Sequence, residues 1–586
     1  MSEKTFMLKQ SDDFITNTFK KALLPCMLSI LSANINVIVD GVLIGQKLGS
    51  NALAAINLCL PVFLFMCVIG SFVVSGTAIN ASREIGKGNY DLGNIYYNFS
   101  IVITFAFSIL FTILGFVFIN QIVDSLCNIS SIRPFVYEYT YITISGSLPK
   151  IMIYIPLWYL RLDGKNKDVS IMMSILTFGN IVLDVLFVYI FDFRVFGAGL
   201  ASVVATSFSF AYGAACLLDD NCSFRLNLKI DLDKIDLVKI TKDGFPSSYN
   251  NLCAAIRLLI INSMLIIIGG GTLVAIFTAV NGIFSIGEAI VLGIPQAGTA
   301  MLGVYSGEKD NRSCEIVIKK ELLLGLIFSV IYSAVIIAMS PFLNTVYGIE
   351  QSIFIPCLWM CLSVFPALVC NIFVSYYNIL GINSLSLFII TSRTLIMTYV
   401  GLVLVYIMNF STFSFLFVAE VITLFVLFII TWIIYIRHKE LHRFMLCNMQ
   451  DEINGNILNF SIENNVEKIC EGCELISEFC EGNGLTPKET MKIQLAMEEA
   501  MTLISDKNCD SSSDLTSFDL RIFNIAKVIG IRIRYAGIDF DPFVNSDNSL
   551  EYMGIRMIKD MLEVTTYQRT FGVNSLIMLL KDNRDE

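Results

Sequence analysis

Residues 415–443 read FLFVAEVITLFVLFIITWIIYIRHKELHR, and the chain changes character inside them. Between Phe415 and Ile436 Glu420 is the one charged residue of an apolar run, and from Arg437 the sequence turns basic. A run of roughly 20 apolar residues is what a helix needs to cross a bilayer. Similar runs lie upstream at Leu58–Ala78, Ile101–Ile119, Ile171–Ile190 and Leu322–Met339. Counted along the chain there are about twelve, joined by short polar connections. Downstream, the remaining residues carry ordinary charge, turn signals and period-two strands, as a soluble domain does.

Composition agrees. A mean hydropathy of +0.70 with 55% hydrophobic residues excludes a soluble globular protein of this length. The net charge of −10, with no concentrated basic stripe, argues against a nucleic-acid partner. The 16 cysteines are scattered and fall mostly in apolar runs (Cys59, Cys67, Cys253, Cys357, Cys361, Cys370). That is cysteine used as a small hydrophobe, with no disulfide frame. Met1–Asp12 is polar and mixed in charge, unlike a cleavable signal peptide, so the first span is expected to insert and stay.

Basic residues set the expected orientation. Lys20 and Lys21 precede span one, Arg83 and Lys87 follow span two, and Arg161, Lys165 and Lys167 follow span four. The same side holds Arg225 to Lys242, Lys309 to Lys320, and Arg437 to Arg443; the other holds Lys47, Arg133 and Arg194. The positive-inside rule then puts both termini in the cytoplasm and the chain, many times spanning, in the plasma membrane. The expected domains are a leader (1–20), a six-helix lobe (21–217), a linker (218–240), a second six-helix lobe (241–437), a basic juxtamembrane linker (438–450) and a soluble domain (451–586). The two lobes echo one another: Ile44-Gly45 followed by Leu53 to Ile56 matches Ile268-Gly269 followed by Leu273 to Ile276. Even spans per half imply parallel repeats about an axis along the membrane normal, with a cavity between them.

Several of these stretches resemble one family. Val39-Asp40-Gly41 through Leu48-Gly49, then Ala52-Leu53-Ala54-Ala55, resembles the first hairpin of the multidrug and toxic compound extrusion (MATE) transporters. Ser82 to Gly88, Tyr159 to Gly164, Gly179 to Asp184 and Gly197 to Ser202 resemble the family's later motifs, so that the likeness spans about residues 14–440. An aspartate inside a membrane helix is costly and marks a candidate functional site. Asn180 sits one turn before Asp184, on the same face. By helical rise, Asp40 lies ~28 Å above Lys21 and Asp184 ~22 Å above Val169, while Ser202 lies ~9 Å below the end of its span. All three then reach a similar depth, where oxygens suit Na⁺ or a proton shared between acids. The resemblance implies that Asp40, Asn180, Asp184 and Ser202 form the cation or proton coupling site. Leu157-Trp158 stands where the family often has an asparagine, a departure that favours protons. Asn34, Asn36, Lys150, Arg257 and Glu288 are candidates for the substrate cavity, with Arg393 and Glu420 as further intramembrane charges.

The last domain reads as α/β. Strands are expected at 457–462, 517–523, 528–535 and 576–580, with helices at 466–481, 487–507 and 554–562. It resembles the ATP-binding fold of histidine kinases and anti-sigma-factor kinases, carried by Ala496 to Ala500, Gly537 to Pro542 and Met553 to Lys559. The expected metal-binding asparagine is Leu503, the adenine-reading aspartate is Tyr535, and a phosphate-loop glycine is Tyr552; Glu499, Gly537 and Gly554 remain. Leucine binds no metal and a tyrosine obstructs approach to phosphate, so ATP binding is not expected. Cys470 with Cys473, and His438 with His442, are better read as core cysteines and a membrane-surface helix than as metal sites.

The fold expected is an all-α polytopic membrane protein, about twelve transmembrane helices in two six-helix lobes, followed by a soluble α/β (histidine-kinase-like ATPase) domain. The function expected is not enzymatic: a MATE-type antiporter exporting small organic, drug-like compounds against H⁺ or Na⁺, with no tightly bound cofactor. Residues 451–586 would regulate it or meet a cytoplasmic partner. A flippase for a lipid-linked substrate and a membrane sensor kinase are the alternatives.

Overall fold

The computed structural model describes residues 14–20, 23–24, 26–28, 30–31, 34, 42–86, 90–163, 165–219, 222, 224–227, 235–307, 310–347, 349, 351–408, 411–439, 441–442, 444–447, 456–509, 517–525, 528–538, 540–543, 552–570 and 573–580. The described membrane part is built of helices. After a helical piece at 42–48 come α1 (Ser50–Gly86), α2 (Tyr90–Val117), α3 (Ile119–Leu126), α4 (Arg133–Ser145), α5 (Ser147–Met152) and α6 (Tyr154–Leu162). Next are α7 (Asn166–Asp184), which runs into a π-helical segment Val185–Ile190, and α8 (Arg194–Leu217). The second half holds α9 (Leu237–Val291), α10 (Gly293–Gly307), α11 (Asn311–Val346) and α12 (Phe354–Ile379). It closes with α13 (Asn383–Thr391), a π-helical segment Ser392–Ile396, α14 (Met397–Met408) and α15 (Phe415–Arg437).

Nine helices among the described residues are long and apolar enough to cross a membrane, so the chain is a multi-pass membrane protein. The difference from the expected count has three sources. Span one falls largely outside the described residues. Span four is divided into α4, α5 and α6, interrupted at Gly146 and Ile153. Spans seven and eight run together in α9, which carries non-helical backbone at Gly269 and at Gly270, where φ is +66°. Only glycine takes that conformation without strain, so the 55-residue rod breaks where two spans must separate.

The halves meet along α1 and α9, which lie antiparallel. Asn57 donates to Asn262 at 2.9 Å, Asn251 to Ser71 at 3.4 Å and Asn80 to Asp243 at 3.2 Å, in order along the seam. Amide and hydroxyl bonds between helices replace the hydrophobic drive that lipid cannot supply. Near one end the backbones touch: a Cβ on Gly244 would collide with the Phe72 carbonyl, and one on Gly76 with the Ile240 carbonyl.

The last domain is a five-stranded antiparallel sheet of order β1-β2-β3-β5-β4, with β1 Ile457–Glu463, β2 Ser517–Ile525, β3 Val528–Ala536, β4 Leu562–Thr570 and β5 Val573–Leu580. Helices α16 (Val466–Gly482), α17 (Pro487–Cys509) and α18 (Met553–Lys559) cover one face. Thr486 and Glu489 form a reciprocal capping box at the start of α17, their side chains bonding each other's backbone N–H at 3.3 and 2.7 Å. β4 was not expected: LEVTTYQRT is too polar to announce itself, and residues 560–562 complete a turn and start the strand rather than extend the helix. Alternation sends Phe518, Leu520, Ile522, Ile531 and Ile533 into the helices. The opposite face carries Ser461, Asp519, Arg521, Arg532 and Arg534, all buried.

The backbone contact at Gly244 gives a stability test. Gly244→Val should destabilise the protein by about 1–3 kcal/mol through overpacking, read as a lower melting temperature in detergent. Gly303→Ala, where an added Cβ meets nothing within 4 Å, should leave it unchanged. Equal melting temperatures for wild type and Gly244→Val would show that the seam is not packed this way.

Candidate functional site

In the first half, α7 delivers two polar side chains one turn apart. Asn180 Nδ2 donates to Asp184 Oδ2 at 2.7 Å, with both residues buried and Asp184 only 1% exposed. Immediately after Asp184 the helix widens into the π-helical segment, a local unwinding that recurs at functional positions. That segment packs on the chain following Asp40: Tyr189 donates to the Leu43 carbonyl at 3.1 Å, and Ile44 is buried against Val188, Val195 and Ala198. Asp40 and Asn36 themselves lie outside the described residues. Ser202 is half-buried on α8, and the structure does not bring its hydroxyl into a hydrogen bond with Asn180 or Asp184. Tyr189 was missed from sequence because an aromatic in an apolar run carries no signal of its own.

In the second half, polar and charged side chains from four elements come together. Asn34 donates to Glu288 Oε2 at 2.7 Å and to the Ser285 carbonyl at 3.1 Å, tying the start of the chain to α9. Arg393, in the second π-helical segment, pairs with Glu420 of α15 at 2.7 Å. Arg257 lies within electrostatic reach of Glu420, Arg393 and Glu288. Lys150 is elsewhere: it is buried in α5 with its ammonium 5.5 Å over the Phe63 ring, so it joins the first half and not this cluster. Glu321 was missed. Its proximity to Lys319 and Lys320 reads as loop, yet it is 1% exposed inside α11 and neither carboxyl oxygen has a hydrogen-bond partner among the described residues.

In the last domain, α17, the end of β3 and the start of α18 bring the nucleotide-motif positions together. Glu499 occupies the space beside Gly554, and Asn508 the space beside Gly537. Leu503, Tyr535 and Tyr552 belong to one apolar cluster. Tyr535 is fully buried with its hydroxyl donating to the Phe540 carbonyl at 2.6 Å, and Lys507 lies over the Tyr552 ring at 5.5 Å. Among the described residues no group of three or more His, Cys, Asp or Glu is placed to hold a metal.

The polar sheet face has a partner that sequence did not suggest. Asp310, between α10 and α11, caps α11 by accepting from the Ser313 N–H at 3.1 Å. It is fully buried, because three arginines of the sheet close over it. Arg521 pairs with Asp310 at 2.5 Å, Arg534 at 3.2 Å, and Arg532 also contacts it directly. Behind them Asp519 takes Arg532 at 3.3 Å and Arg534 at 3.5 Å, and Ser461 donates to Asp519 at 3.1 Å. Arg534 also stacks over Tyr305 of α10 at 3.9 Å. Burial pushes the Asp310 carboxyl up, but the Arg532, Arg521 and Arg534 guanidiniums overcome it and hold it well below the usual carboxylate range. No sequence periodicity could pair an aspartate with arginines more than 200 residues away.

Comparison with known proteins places these features. The MatE family model matches residues 25–190. The FAD transporter of Shewanella oneidensis is 24% identical over 321 residues, covering 53% of this chain and 69% of that protein. The multidrug export protein MepA of Staphylococcus aureus is 24% identical over 315 residues, with the same coverage. A solved inward-facing multidrug resistance MATE transporter of the MOP superfamily superposes with a TM-score of 0.62 at 21% identity, covering 68% of this chain and 95% of that one. The membrane part therefore has the MATE fold, and the chain's homologues are transporters.

The buried ion cluster makes a sharp prediction. Asp310→Asn keeps a good helix cap but leaves three arginines facing one aspartate, which should cost about 3–5 kcal/mol of docking. Proteinase K should then cut between the membrane part and residue 457 faster than in wild type. A carboxyl this depressed stabilises docking above its unfolded pKa and loses that stability only as pH falls through its folded one. Wild-type protection should therefore persist from neutral pH down to about 4. Unchanged cleavage of Asp310→Asn, or loss of protection near pH 6, would contradict the arrangement.

Proposed function

We propose that this chain is a secondary antiporter that exports small organic compounds across the plasma membrane, driven by inward H⁺ or Na⁺. The observation that carries the proposal is the buried Asn180–Asp184 pair at the point where α7 unwinds. A carboxyl group in such a setting exchanges a bound cation for neutrality when water reaches it, because low dielectric penalises its bare charge. Asp40, Asn180, Asp184 and Ser202 would take the cation on one side and release it on the other as the halves rock along α1 and α9. Asn34, Arg257 and Glu288 would face the substrate, and Asn36 belongs with them by position. The likeness to MepA, named a multidrug export protein, and to a FAD transporter supports export of organic molecules. Both termini would face the cytoplasm, in keeping with the loop charges.

The domain of residues 451–586 is regulatory in this reading, and it works without nucleotide. Leu503, Tyr535 and Tyr552, at the positions where the motif would supply metal, adenine and phosphate contacts, are packed into the apolar core. That also disfavours a sensor kinase.

Two measurements test the proposal. In proteoliposomes, Asp184→Asn and Asp40→Asn should each abolish gradient-driven transport of a compound panel under imposed H⁺ or Na⁺ gradients, while the purified proteins stay folded. Wild-type rates in both variants would remove the coupling assignment. Calorimetric titration of the full chain with Mg-ATP should give no binding in the micromolar range; a micromolar affinity, or transfer of phosphate to any protein, would revive a kinase.

A further inference from the structure

The turn that follows Asp184 is fastened to the hairpin at residues 42–48, and that hairpin touches the other half. Tyr189, in the π-helical segment Val185–Ile190, donates to the Leu43 carbonyl at 3.1 Å. Lys47 lies over the Tyr189 ring at 5.7 Å and pairs with Asp192 at 3.7 Å. The backbone leaving the segment is strained. Asp192 and Arg194 have φ of +54° and +51°, a left-handed conformation that residues other than glycine rarely adopt and that persists only where the surroundings hold it. Next along the hairpin, Gly45 meets the second half: a Cβ there would stand 2.6 Å from the Tyr347 carbonyl oxygen. Tyr347 is buried at the end of α11 with its hydroxyl against Gly282 of α9, and Ile132 of the first half fills the space beside Gly271 of α9. From Asp310, under the arginines of the last domain, α11 runs 36 residues, roughly 54 Å, to this point. The Gly45–Tyr347 contact therefore joins the halves at the end of the bundle away from that domain.

We propose that Tyr189 is a positioning residue that transmits the state of Asp184, cation-bound or empty, to the Gly45–Tyr347 contact, and so governs when the halves part at that end. The proposal rests on the coupling assignment within the export reading. The π-helical segment starts from Asp184 itself. A π turn holds one residue more than an α turn, so conversion of one into the other rotates every later side chain by about 100°. Such a change would withdraw the Tyr189 hydroxyl from Leu43 and turn Asp192 away from Lys47, freeing the hairpin to leave Tyr347. Binding at Asp184 would favour one geometry of the turn, and the strained residues after it are the part of the chain that gains by relaxing. Gly45, with no side chain to hold it off, lets backbone meet backbone while the hairpin is fastened.

The test is hydrogen–deuterium exchange of the purified full-length protein, read on residues 180–190 and 42–48. Na⁺ is replaced by choline in one arm, and in the other the pH is lowered, with intrinsic exchange corrected for. In wild type one of the two cations should change the exchange of both stretches, that of 42–48 by about threefold or more. Tyr189→Phe removes only the hydroxyl. It should keep the response at 180–190 and lose that at 42–48, while kcat for a compound that wild type exports falls about tenfold at unchanged KM. A merely structural role would speed exchange at 42–48 with and without cation alike and leave the response in place. Where Tyr189→Phe does not fold, Lys47→Met puts the same question, because it removes the Asp192 pair and the ring contact and keeps the stem; the response at 42–48 should shrink. A full response at 42–48 in the folded variant, or an unchanged kcat in Tyr189→Phe, overturns the proposal and leaves the export reading standing. So does a wild type in which only one of the two stretches responds. If neither responds to either cation, the coupling assignment at Asp184 falls, and this link falls with it.

Discussion

A charge that cannot reach water must be answered by another charge, a hydrogen bond or a proton, and this constraint arranges nearly everything functional in the chain. In a 30 Å slab of hydrocarbon the cost of ignoring it is several kcal/mol per group. Arg393 and Glu420 answer one another at 2.7 Å. Asp184 is answered by Asn180, and Glu288 by Asn34. Glu321 is buried with no hydrogen-bond partner among the described residues. The same rule operates outside the bundle, where the fully buried Asp310 is answered by three arginines.

The places where helices abandon regular geometry are the places where such groups sit. The first π-helical segment begins one residue after Asp184, and the second contains Arg393. A π turn releases a backbone carbonyl and rotates the following side chains, which lets a polar group be aimed inward without breaking the span. The glycine break at Gly269–Gly270 falls between Arg257 and Glu288 on α9, so one long element contributes to the second-half cluster from both of its arms. Strain and charge are thus placed together, and the smooth apolar stretches between them carry the lipid contact.

Sequence alone shows the spans because twenty apolar residues have few other stable uses, and it points to Asn180 and Asp184, which the structure pairs, because polar groups are conspicuous there; Asp40 lies outside the described residues. Of the nucleotide-motif positions expected from sequence, the structure places Leu503, Tyr535 and Tyr552 in one apolar core. Sequence does not show β4, whose alternation is polar on both faces, and it misplaces Glu321, because neighbouring lysines disguise an intramembrane acid as loop. Above all it is silent on Asp310. Alternation along β2 and β3 yields arginines on the face away from the helices, which reads as a solvated surface. Only tertiary structure reveals that the face is buried.

That buried face decides how the last domain can act. Tyr305, Asp310 and Ser313 all belong to the junction of α10 and α11, and the chain leading into the domain packs on the same half, with Tyr377 donating to the Phe444 carbonyl at 2.8 Å. Every contact named here therefore ties the sheet to the second half, and none bridges to the first. A domain held this way does not brace the two halves against each other. In the export reading it would travel with one of them, because breaking the arginine cluster would cost about 3–5 kcal/mol. Rocking along α1 and α9 would then sweep α16 and α17 through space relative to the first half. A partner gripping those helices could bias the equilibrium only through a second foothold on the first half or on the membrane, since binding energy that is equal in both states shifts neither.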